Sequence, residues 1–327
     1  MRRLYKLAML ISAFTALLIL LYRIGISPVG LIQSALLSMT PLALAALGEV
    51  VNEKSGLANI GLEGILLMSA AISVWGAEEF ANGYVGLIVG LLFGALVGLV
   101  FATLSTYGSA NQIVVGIGIN IFAYGFTPYF LMATWRFPGI RIPPREVLVQ
   151  QIAVQLGDIY FRFSELTITA VLLGVLFHYI LHSTPIGLRI KACGEAPEAV
   201  DVAGVDVYKL RIVVATFGGA LAGLGGAFMS LVWFGGVVKE ISAGRGFIAL
   251  ACVVASGLEP LLALGFAFLF GFAEALAMNI AITPGVKEVV PYHVVFTIPY
   301  ITTLVVVALF VRGKRFPRAL AQPYIKE

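Results

Sequence analysis

Residues 52–64 read NEKSGLANIGLEG, a polar and glycine-broken stretch between two apolar segments. Such a break is expected of a discontinuous helix along a transport route, because irregular backbone is tolerated at membrane depth where protein buries it or a cavity borders it. Asn59 offers hydrogen-bond donors and an acceptor to a solute, and Glu63 is ionisable. A connector whose polar side chains cap helix ends fits the same residues equally well.

Part of this region approaches the pattern of a phosphate-binding loop. Residues 48–55 read GEVVNEKS, so Glu53 stands where that loop requires its second glycine. A carboxylate there would repel phosphate, and no strand precedes the segment. The sequence therefore excludes nucleotide binding here.

The composition of the whole chain is that of a membrane protein. Of its 327 residues 60% are hydrophobic and 12% are charged, with a mean hydropathy of +1.00, whereas a soluble domain carries about 25% charged residues. A net charge of +4 is too small to indicate a nucleic-acid partner. Cys193 and Cys252 form no C-x-x-C pair, so neither a disulfide framework nor a zinc site is predicted.

Apolar stretches near the length of a lipid-spanning helix recur along the chain. They lie at about Leu4–Tyr22, Val29–Val51, Leu57–Gly76, Tyr84–Tyr107, Ile113–Ala133, Leu166–Leu181, Ile212–Phe234, Leu261–Ile282 and His293–Val311. Phe247–Ser256 is too short to span unaided and is interpreted as part of a broken helix. We predict an all-α integral membrane protein over residues 1–327, a single polytopic bundle with discontinuous helices. It crosses about ten times, or eight times if the broken pieces are re-entrant.

Basic residues give the orientation of the spans through the positive-inside rule. They cluster before the first span, in residues 182–211 and in the C-terminal tail, at Arg2, Arg3, Lys6, Arg189, Lys191, Lys209, Arg211, Arg312, Lys314, Arg315, Arg318 and Lys326. Both termini and residues 182–211 are therefore predicted to be cytoplasmic. Parity then puts residues 134–165 outside the cell, although that loop carries four arginines beside three acids.

Glycines recur every fourth residue in one apolar segment, at Gly86, Gly90, Gly94 and Gly98. This spacing predicts a helix face without side chains, which another backbone can approach closely. Packing within the chain is favoured over oligomerisation, because a bundle of many helices has more internal faces than external ones. Gly219 and Gly223 form a second pair of this kind.

Other polar residues in apolar surroundings are candidates for chemistry. Glu274 must face the bundle interior or water, and together with Glu63 it supports an alternative function, an ion- or proton-coupled carrier. His178 and His182 lie one helical turn apart, but no further ligand follows at metal-binding spacing, so ordinary surface histidines are favoured and no metal is predicted. Neither H-E-x-x-H nor G-x-S-x-G occurs, and no enzyme activity is expected.

Residues 194–204 read GEAPEAVDVAG and predict a short helix. Proline and acids occupy its first turn, and glycine stands where it should stop. Ala196, Ala199, Val200 and Ala203 recur at helical spacing and form a small apolar face. Such a face suits docking into a groove on a soluble partner.

At this loop the chain resembles the permease subunits of ATP-binding-cassette importers. Their coupling loop often reads Glu-Ala-Ala, three residues and Gly, and here Glu198-Ala199-Val200 precedes Gly204, with the second alanine replaced. More specifically, the chain resembles the shorter permease of the nucleoside and simple-sugar branch. The segments that carry this resemblance are residues 55–64, 194–204, 246–251, Pro299-Tyr300 and 317–324.

The resemblance implies a plasma-membrane subunit that forms the translocation pathway and binds no cofactor, while partner subunits hydrolyse ATP. The implied partners are an ATPase subunit, a second permease in a heterodimer and an extracytoplasmic substrate-binding protein. The residues expected at the ATPase contact are Glu195, Pro197, Glu198, Ala199 and Gly204. Asn59, Glu63 and Glu274 are expected near the route. Nucleosides are the leading solutes, followed by simple sugars and riboflavin-like compounds.

Overall fold

A computed structural model describes residues 25–157, 159–283, 292–311 and 313–325. The predicted first span, Leu4–Tyr22, lies outside the described residues. The helices are α1 Pro28–Lys54, α2 Leu62–Glu79, α3 Gly83–Thr106, α4 Gln112–Trp135, α5 Glu165–Ser183, α6 Pro185–Glu195, α7 Pro197–Val202, α8 Val207–Phe228, α9 Arg245–Ser256, α10 Pro260–Ile282, α11 Tyr292–Val295 and α12 Ile298–Phe310. The strands are β1 Ile140–Arg141, β2 Ile152–Leu156, β3 Ile159–Phe163 and β4 Val237–Val238.

Six of these helices are long and apolar enough to cross a membrane: α1, α3, α4, α5, α8 with the π-helical turn that extends it to Trp233, and α10. The predicted polytopic helical class is therefore confirmed. The span expected over Leu57–Gly76 begins later, at Leu62, because residues 55–61 are not helical. Gly56 has a φ of +97°, and the side chain of Asn59 accepts the Gly61 N–H at 2.9 Å, a local bond that competes with helix formation.

The bundle has two ends, which α5 separates. Its 19 residues extend for about 28 Å at 1.5 Å per residue. We call the side of residues 136–163 the hairpin end, because β2 and β3 pair there as an antiparallel hairpin. The opposite side, with residues 184–206, is the linker end. Residues 134–165, predicted as a loop, thus contain a hairpin, and β1 additionally pairs with β4.

The C-terminal tail packs at the linker end. The Ala319 N–H donates to the carbonyl oxygen of Gly194 at 2.9 Å, and the Ala321 N–H donates to that of Gly56 at 3.1 Å. The tail and residues 184–206 therefore share one end of the bundle, as their basic residues led us to expect.

The broken helix predicted around Phe247–Ser256 is confirmed as α9. Its 12 residues cover about 18 Å, less than α5 covers, so α9 begins inside the bundle. It ends at the linker end, where Lys314 Nζ donates to the carbonyl oxygen of Ser256 at 3.3 Å. Residues 234–244 and α9 together therefore cross the bundle once.

Helices α3 and α8 pack closely against each other through their glycines. A Cβ on Gly94 would lie 2.5 Å from the Gly223 Cα, and one on Gly98 would lie 2.9 Å from the Gly219 Cα. On the same face, a Cβ on Gly90 would meet Ala227 and one on Gly86 would meet Ala77 of α2. The Gly219 and Gly223 pair of α8 thus packs against Gly94 and Gly98 of α3 within this chain.

Candidate functional site

Two helix discontinuities meet inside the bundle, the break before α2 and the start of α9, and Glu63 lies between them. Glu63 is buried near the start of α2. One of its carboxylate oxygens accepts the N–H of Gly244 at 2.7 Å, and the other accepts the N–H of Gly246 at 2.7 Å. Gly244 is the N-cap residue of α9 and Gly246 lies in its first turn, where backbone N–H groups have no partner within the helix. Charge-assisted bonds therefore hold the start of α9 against the start of α2.

A second carboxylate fixes the polar stretch that precedes α2. The buried Glu49 accepts the backbone N–H of Asn59 at 2.6 Å and the side-chain amide of Asn52 at 3.1 Å. The side-chain amide of Asn120 on α4 bonds both to Gly64 N–H at 2.8 Å and to the carbonyl oxygen of Ile60 at 3.0 Å. These bonds satisfy backbone groups that the break leaves without helical partners.

Glu274 forms a buried ion pair. It lies in the middle of α10 and contacts the guanidinium of Arg245, while Ser38 of α1 donates its hydroxyl to the other carboxylate oxygen. The guanidinium also lies 4.8 Å from the ring centroid of Trp233 and 5.2 Å from that of Phe234. The ion pair with Glu274 and the contacts with the two aromatic rings compensate the cost of burying the Arg245 charge away from water. Glu274 thus faces the bundle interior with a partner.

Sequence reasoning missed Arg245, because it interpreted basic residues only as orientation signals. The available signal was local: Arg245 opens an apolar run and stands between two glycines, in a segment already interpreted as a broken helix. A charged residue at that position requires an internal partner.

Three cavities surround residues 234–245. The largest, about 490 Å³, is lined by Tyr124, Phe137, Lys239, Glu240 and neighbours. A second of about 370 Å³ is lined by residues of β1 and β4 and reaches Phe234 and Arg245. The third, about 100 Å³, is lined by Arg245, Glu274 and Tyr300 among others.

Tyr300 of α12 closes this region from the other side. Its hydroxyl donates to the carbonyl oxygen of Ala243 at 3.1 Å. Residues 234–245 contribute to all three cavities, and the Glu63 carboxylate holds the last turn of this segment. Of the three residues predicted near the route, Glu274 lines a cavity. Asn59 and Glu63 line none of these three and instead fix the surrounding backbone.

The linker end carries the residues predicted to contact an ATPase. A single helix across residues 194–204 was expected, but α6 ends at Glu195 and α7 starts at Pro197. Proline has no N–H for the helix of α6 and restricts Ala196 to non-helical dihedrals, and Ala196 has a φ of −151° and a ψ of 77°. Gly204 follows α7 with a φ of +84°, a value that favours glycine.

The apolar face predicted on this segment is partly wrong. Val200 is only 7% exposed and packs with Cys193, Val207 and Tyr324, because the largest side chain of the set contributes more by burial in its own chain. The large apolar side chain that is exposed on α7 is that of Val202, at 89%. We call the exposed surface of Glu198, Ala199, Val202 and Ala203 the α7 patch. Glu195 is exposed beside it, and Pro197 is buried.

Arg211, near the start of α8, connects the C-terminal tail to the polar stretch before α2. Its side chain is 1% exposed. Its Nε donates to the carbonyl oxygen of Ser55 at 3.1 Å, and its Nη1 donates to that of Gln322 at 3.4 Å. Burial raises the pKa of the neighbouring Cys193 thiol, although the guanidinium of Arg211 acts in the opposite direction. Sequence reasoning interpreted Arg211 as an orientation signal and missed this role.

Comparison with known proteins gives a consistent result. Residues 31–309 match the family described as branched-chain amino acid transport system / permease component. The guanosine ABC transporter permease protein NupQ of Bacillus subtilis is 34% identical over 90% of this chain and 96% of its own length. The nucleoside ABC transporter permease protein NupC of Lactococcus lactis is 32% identical over the same shares.

A third relative transports a different solute by its description. The putative glucose ABC transporter permease protein TsgC13 of Haloferax volcanii is 30% identical over 91% of this chain and 98% of its own length. No solved structure gives a significant match to this chain.

Proposed function

Since this chain belongs to the permease-component family of ABC transporters, we propose that it forms, with a second permease, the route by which a nucleoside enters the cell. Its place among ABC permeases overturns the alternative of an ion-coupled carrier that uses Glu63 and Glu274. The contacts agree, because the first of these carboxylates is bonded to backbone N–H groups and the second to Arg245.

The observation that supports a nucleoside is the chemistry of the cavities at residues 234–245. Aromatic side chains, among them Tyr124, Phe137 and Phe234, offer flat apolar surfaces to a base. Lys239 and Glu240 offer a donor and acceptors to the hydroxyl groups of a ribose. Apolar walls with a few polar groups are typical of small-molecule sites.

The cavities open on the outside of this chain, which supports a shared route. The side chains of Lys239 and Glu240 are 61% and 67% exposed, and Tyr124 and Tyr300 are 46% and 50% exposed. Polar groups exposed next to apolar side chains on the outside of a membrane bundle require a partner or water. A second permease that covers this face completes the route.

The α7 patch is proposed as the contact with the ATPase subunit, and Glu195, Pro197 and Gly204 shape it. Motion of the α7 patch is transmitted to the cavities through buried contacts. Arg211 connects this end to Ser55, residues 55–61 lead to Glu63, and Glu63 holds the start of α9. ATP binding to the partner biases the two states of this connected unit, as alternating access requires.

The remaining assignments follow from this proposal. The chain is a multi-pass protein of the cell membrane, surrounded by lipid, whose linker end and both termini face the cytoplasm. It is not itself an enzyme, because its ATPase partner hydrolyses ATP, and its solute route uses no cofactor. A substrate-binding protein delivers the solute at the hairpin end, and the second permease differs from this chain.

The test is solute uptake by the purified complex in proteoliposomes that enclose ATP, with the linker end facing the lumen and the binding protein outside. Radiolabelled guanosine, uridine and glucose are offered outside, on the hairpin-end side. We expect nucleoside movement that stops without ATP and is unaffected by glucose. Movement of glucose alone would assign the sugar branch, and nucleoside movement without ATP would overturn the proposal altogether.

A further inference from the structure

A cluster of three metal-ligating side chains lies at the linker end, apart from the cavities. His178 and His182 come from the last turns of α5, and Glu259 immediately precedes α10. One ligand atom from each lies within 4.8 Å of the other two. The sequence showed no third ligand beside the histidines, because Glu259 is distant along the chain and only the packing of α10 against α5 brings it there.

The separations are those of ligands around one ion. His182 Nε2 lies 3.4 Å from one carboxylate oxygen of Glu259, and His178 Nδ1 lies 3.8 Å from the same oxygen. In a tetrahedral zinc site, bonds of about 2.0–2.1 Å place neighbouring ligand atoms about 3.4 Å apart. Both nitrogens lie near this separation from the shared oxygen, and side-chain rotation within the 4.8 Å cluster would bring the three atoms onto one ion.

Hydrogen bonding points the free nitrogen of His182 at the carboxylate. His182 Nδ1 lies 2.8 Å from the carbonyl oxygen of His178. A carbonyl oxygen only accepts, so Nδ1 carries the hydrogen, and Nε2 is the nitrogen that faces the carboxylate. Either a proton on Nε2 or a metal ion bound to it makes this contact favourable. Backbone carbonyls orient metal-bound histidines in the same way.

His178 provides a second open nitrogen. Its Nδ1 is buried and has no hydrogen-bond partner among the described residues. Its ring centroid lies 4.3 Å from that of His182. A buried ring nitrogen without a partner is destabilising unless something binds it, and here it lies beside the carboxylate oxygen that His182 also faces.

Lys54 holds the other carboxylate oxygen. Its Nζ, at the end of α1, lies 3.4 Å from Glu259 Oε1, so the oxygen that faces the histidines remains available. The side chains of the two histidines and Glu259 are 41%, 38% and 33% exposed, which gives an ion access from solvent.

We propose that His178, His182 and Glu259 bind one divalent transition-metal ion of the zinc class, with a fourth position open to water. Two imidazoles favour such an ion over magnesium or calcium, which prefer oxygen ligands. The bound ion would connect the adjacent ends of α5 and α10, and through Lys54 that of α1. Since α6 starts two residues after α5, occupancy would stiffen the base of the segment that carries the α7 patch.

The test uses the full-length chain in lipid nanodiscs, purified through an affinity tag without histidine. Zinc uptake is measured by equilibrium dialysis, and cobalt is used as a spectroscopic probe of coordination. We expect one equivalent of zinc and the intense visible absorption of four-coordinate cobalt. Loss of a partner that orients a ligand weakens metal affinity by about 10- to 100-fold, so His182→Asn and Glu259→Gln should each weaken it by at least about 100-fold.

Two further variants keep the result interpretable. His293→Asn changes the third histidine of the chain and should leave zinc affinity unchanged. His178→Asn repeats the test at a second ligand, in case another variant fails to fold, with elution volume and unfolding temperature measured for each protein. Absence of zinc uptake by the unaltered chain, or uptake by the His178 and His182 variants that equals that of the unaltered chain, would overturn the proposal.

Discussion

Glu63 accepts a hydrogen bond of 2.7 Å from the backbone of Gly244, a residue 181 positions further along the chain. The bond joins the start of α2 to the segment that lines the cavities. The polar stretch of residues 52–64 thus acts on the proposed route through backbone geometry, which allows specific experiments.

Glu63→Gln should destabilise the protein and abolish ATP-driven uptake. The amide has one accepting oxygen, and its NH₂ group would face a backbone N–H. A buried donor left without a partner costs about 1–3 kcal/mol. Thermal unfolding and uptake measure both effects. Glu79→Gln removes an exposed carboxylate at the other end of the same helix and should change neither. Full uptake by Glu63→Gln would show that the anchor is dispensable.

Single changes at the buried Arg245–Glu274 pair should be severe. Arg245→Met or Glu274→Gln leaves one charge buried without its partner, which destabilises by about 3–5 kcal/mol. The double variant should recover part of this loss, because no unpaired charge remains. Unfolding temperatures of the four proteins form a double-mutant cycle. Strictly additive losses would contradict direct coupling between the two side chains.

Charge reversal on the α7 patch should release the ATPase subunit without unfolding this chain. Glu198 and Val202 are exposed, so Glu198→Lys and Val202→Asp remove contact surface and leave the core intact. Co-purification of the ATPase measures the effect, with Glu79→Lys as a charge reversal at the hairpin end. Normal ATPase recovery with both patch variants would place the contact elsewhere.

Gly94→Ala should destabilise the contact of α3 with α8. The added methyl group would lie 2.5 Å from the Gly223 Cα, and overpacking of this kind costs about 1–3 kcal/mol. Gly118→Ala is the matched control, because a Cβ at Gly118 meets no atom within 4 Å. The comparison is made by thermal unfolding in one detergent. Equal unfolding temperatures for the two variants would contradict the close approach.

Cys193 should react slowly with maleimide at pH 7. Burial raises the pKa of its thiol, so the reactive thiolate is even scarcer at neutral pH than for an ordinary cysteine. In Ala199→Cys, the introduced thiol lies on the exposed α7 patch and should label fast, and bound ATPase should protect it. Fast labelling of the unaltered chain would show that the base of α7 opens in solution.

Hydropathy located most of the spans, because lipid thickness sets both the length and the composition of such helices. The break before α2 was also predictable, since glycines and polar side chains interrupt an apolar pattern there. Partners were not predictable. Glu274 pairs with a residue 29 positions earlier, and the packing of α9 against α10 alone brings the two together. Arg211 was interpreted as an orientation signal and Arg245 was given no role, because counting charges does not reveal how deeply a residue lies.

The hairpin and the burial of Val200 show a second limit of prediction from the sequence. Residues 152–163 lie in a segment whose charges supported only a loop, and their pairing depends on the turn near Gly157, which has a φ of +63°. Val200 lies on the same helical face as small residues expected to be exposed. Its burial depends on Tyr324 of the tail, which no local pattern connects to it.

The meeting of α2 and α9 also bears on which solutes the route accepts. Both helices begin at the same depth, so the positive ends of two helix dipoles converge there. Unopposed, such ends attract phosphate. Here the Glu63 carboxylate already neutralises them, and Glu274 does the same for Arg245. We therefore expect the meeting point of α2 and α9 to give a phosphate group no electrostatic stabilisation, so that an uncharged nucleoside passes it more readily than a nucleotide.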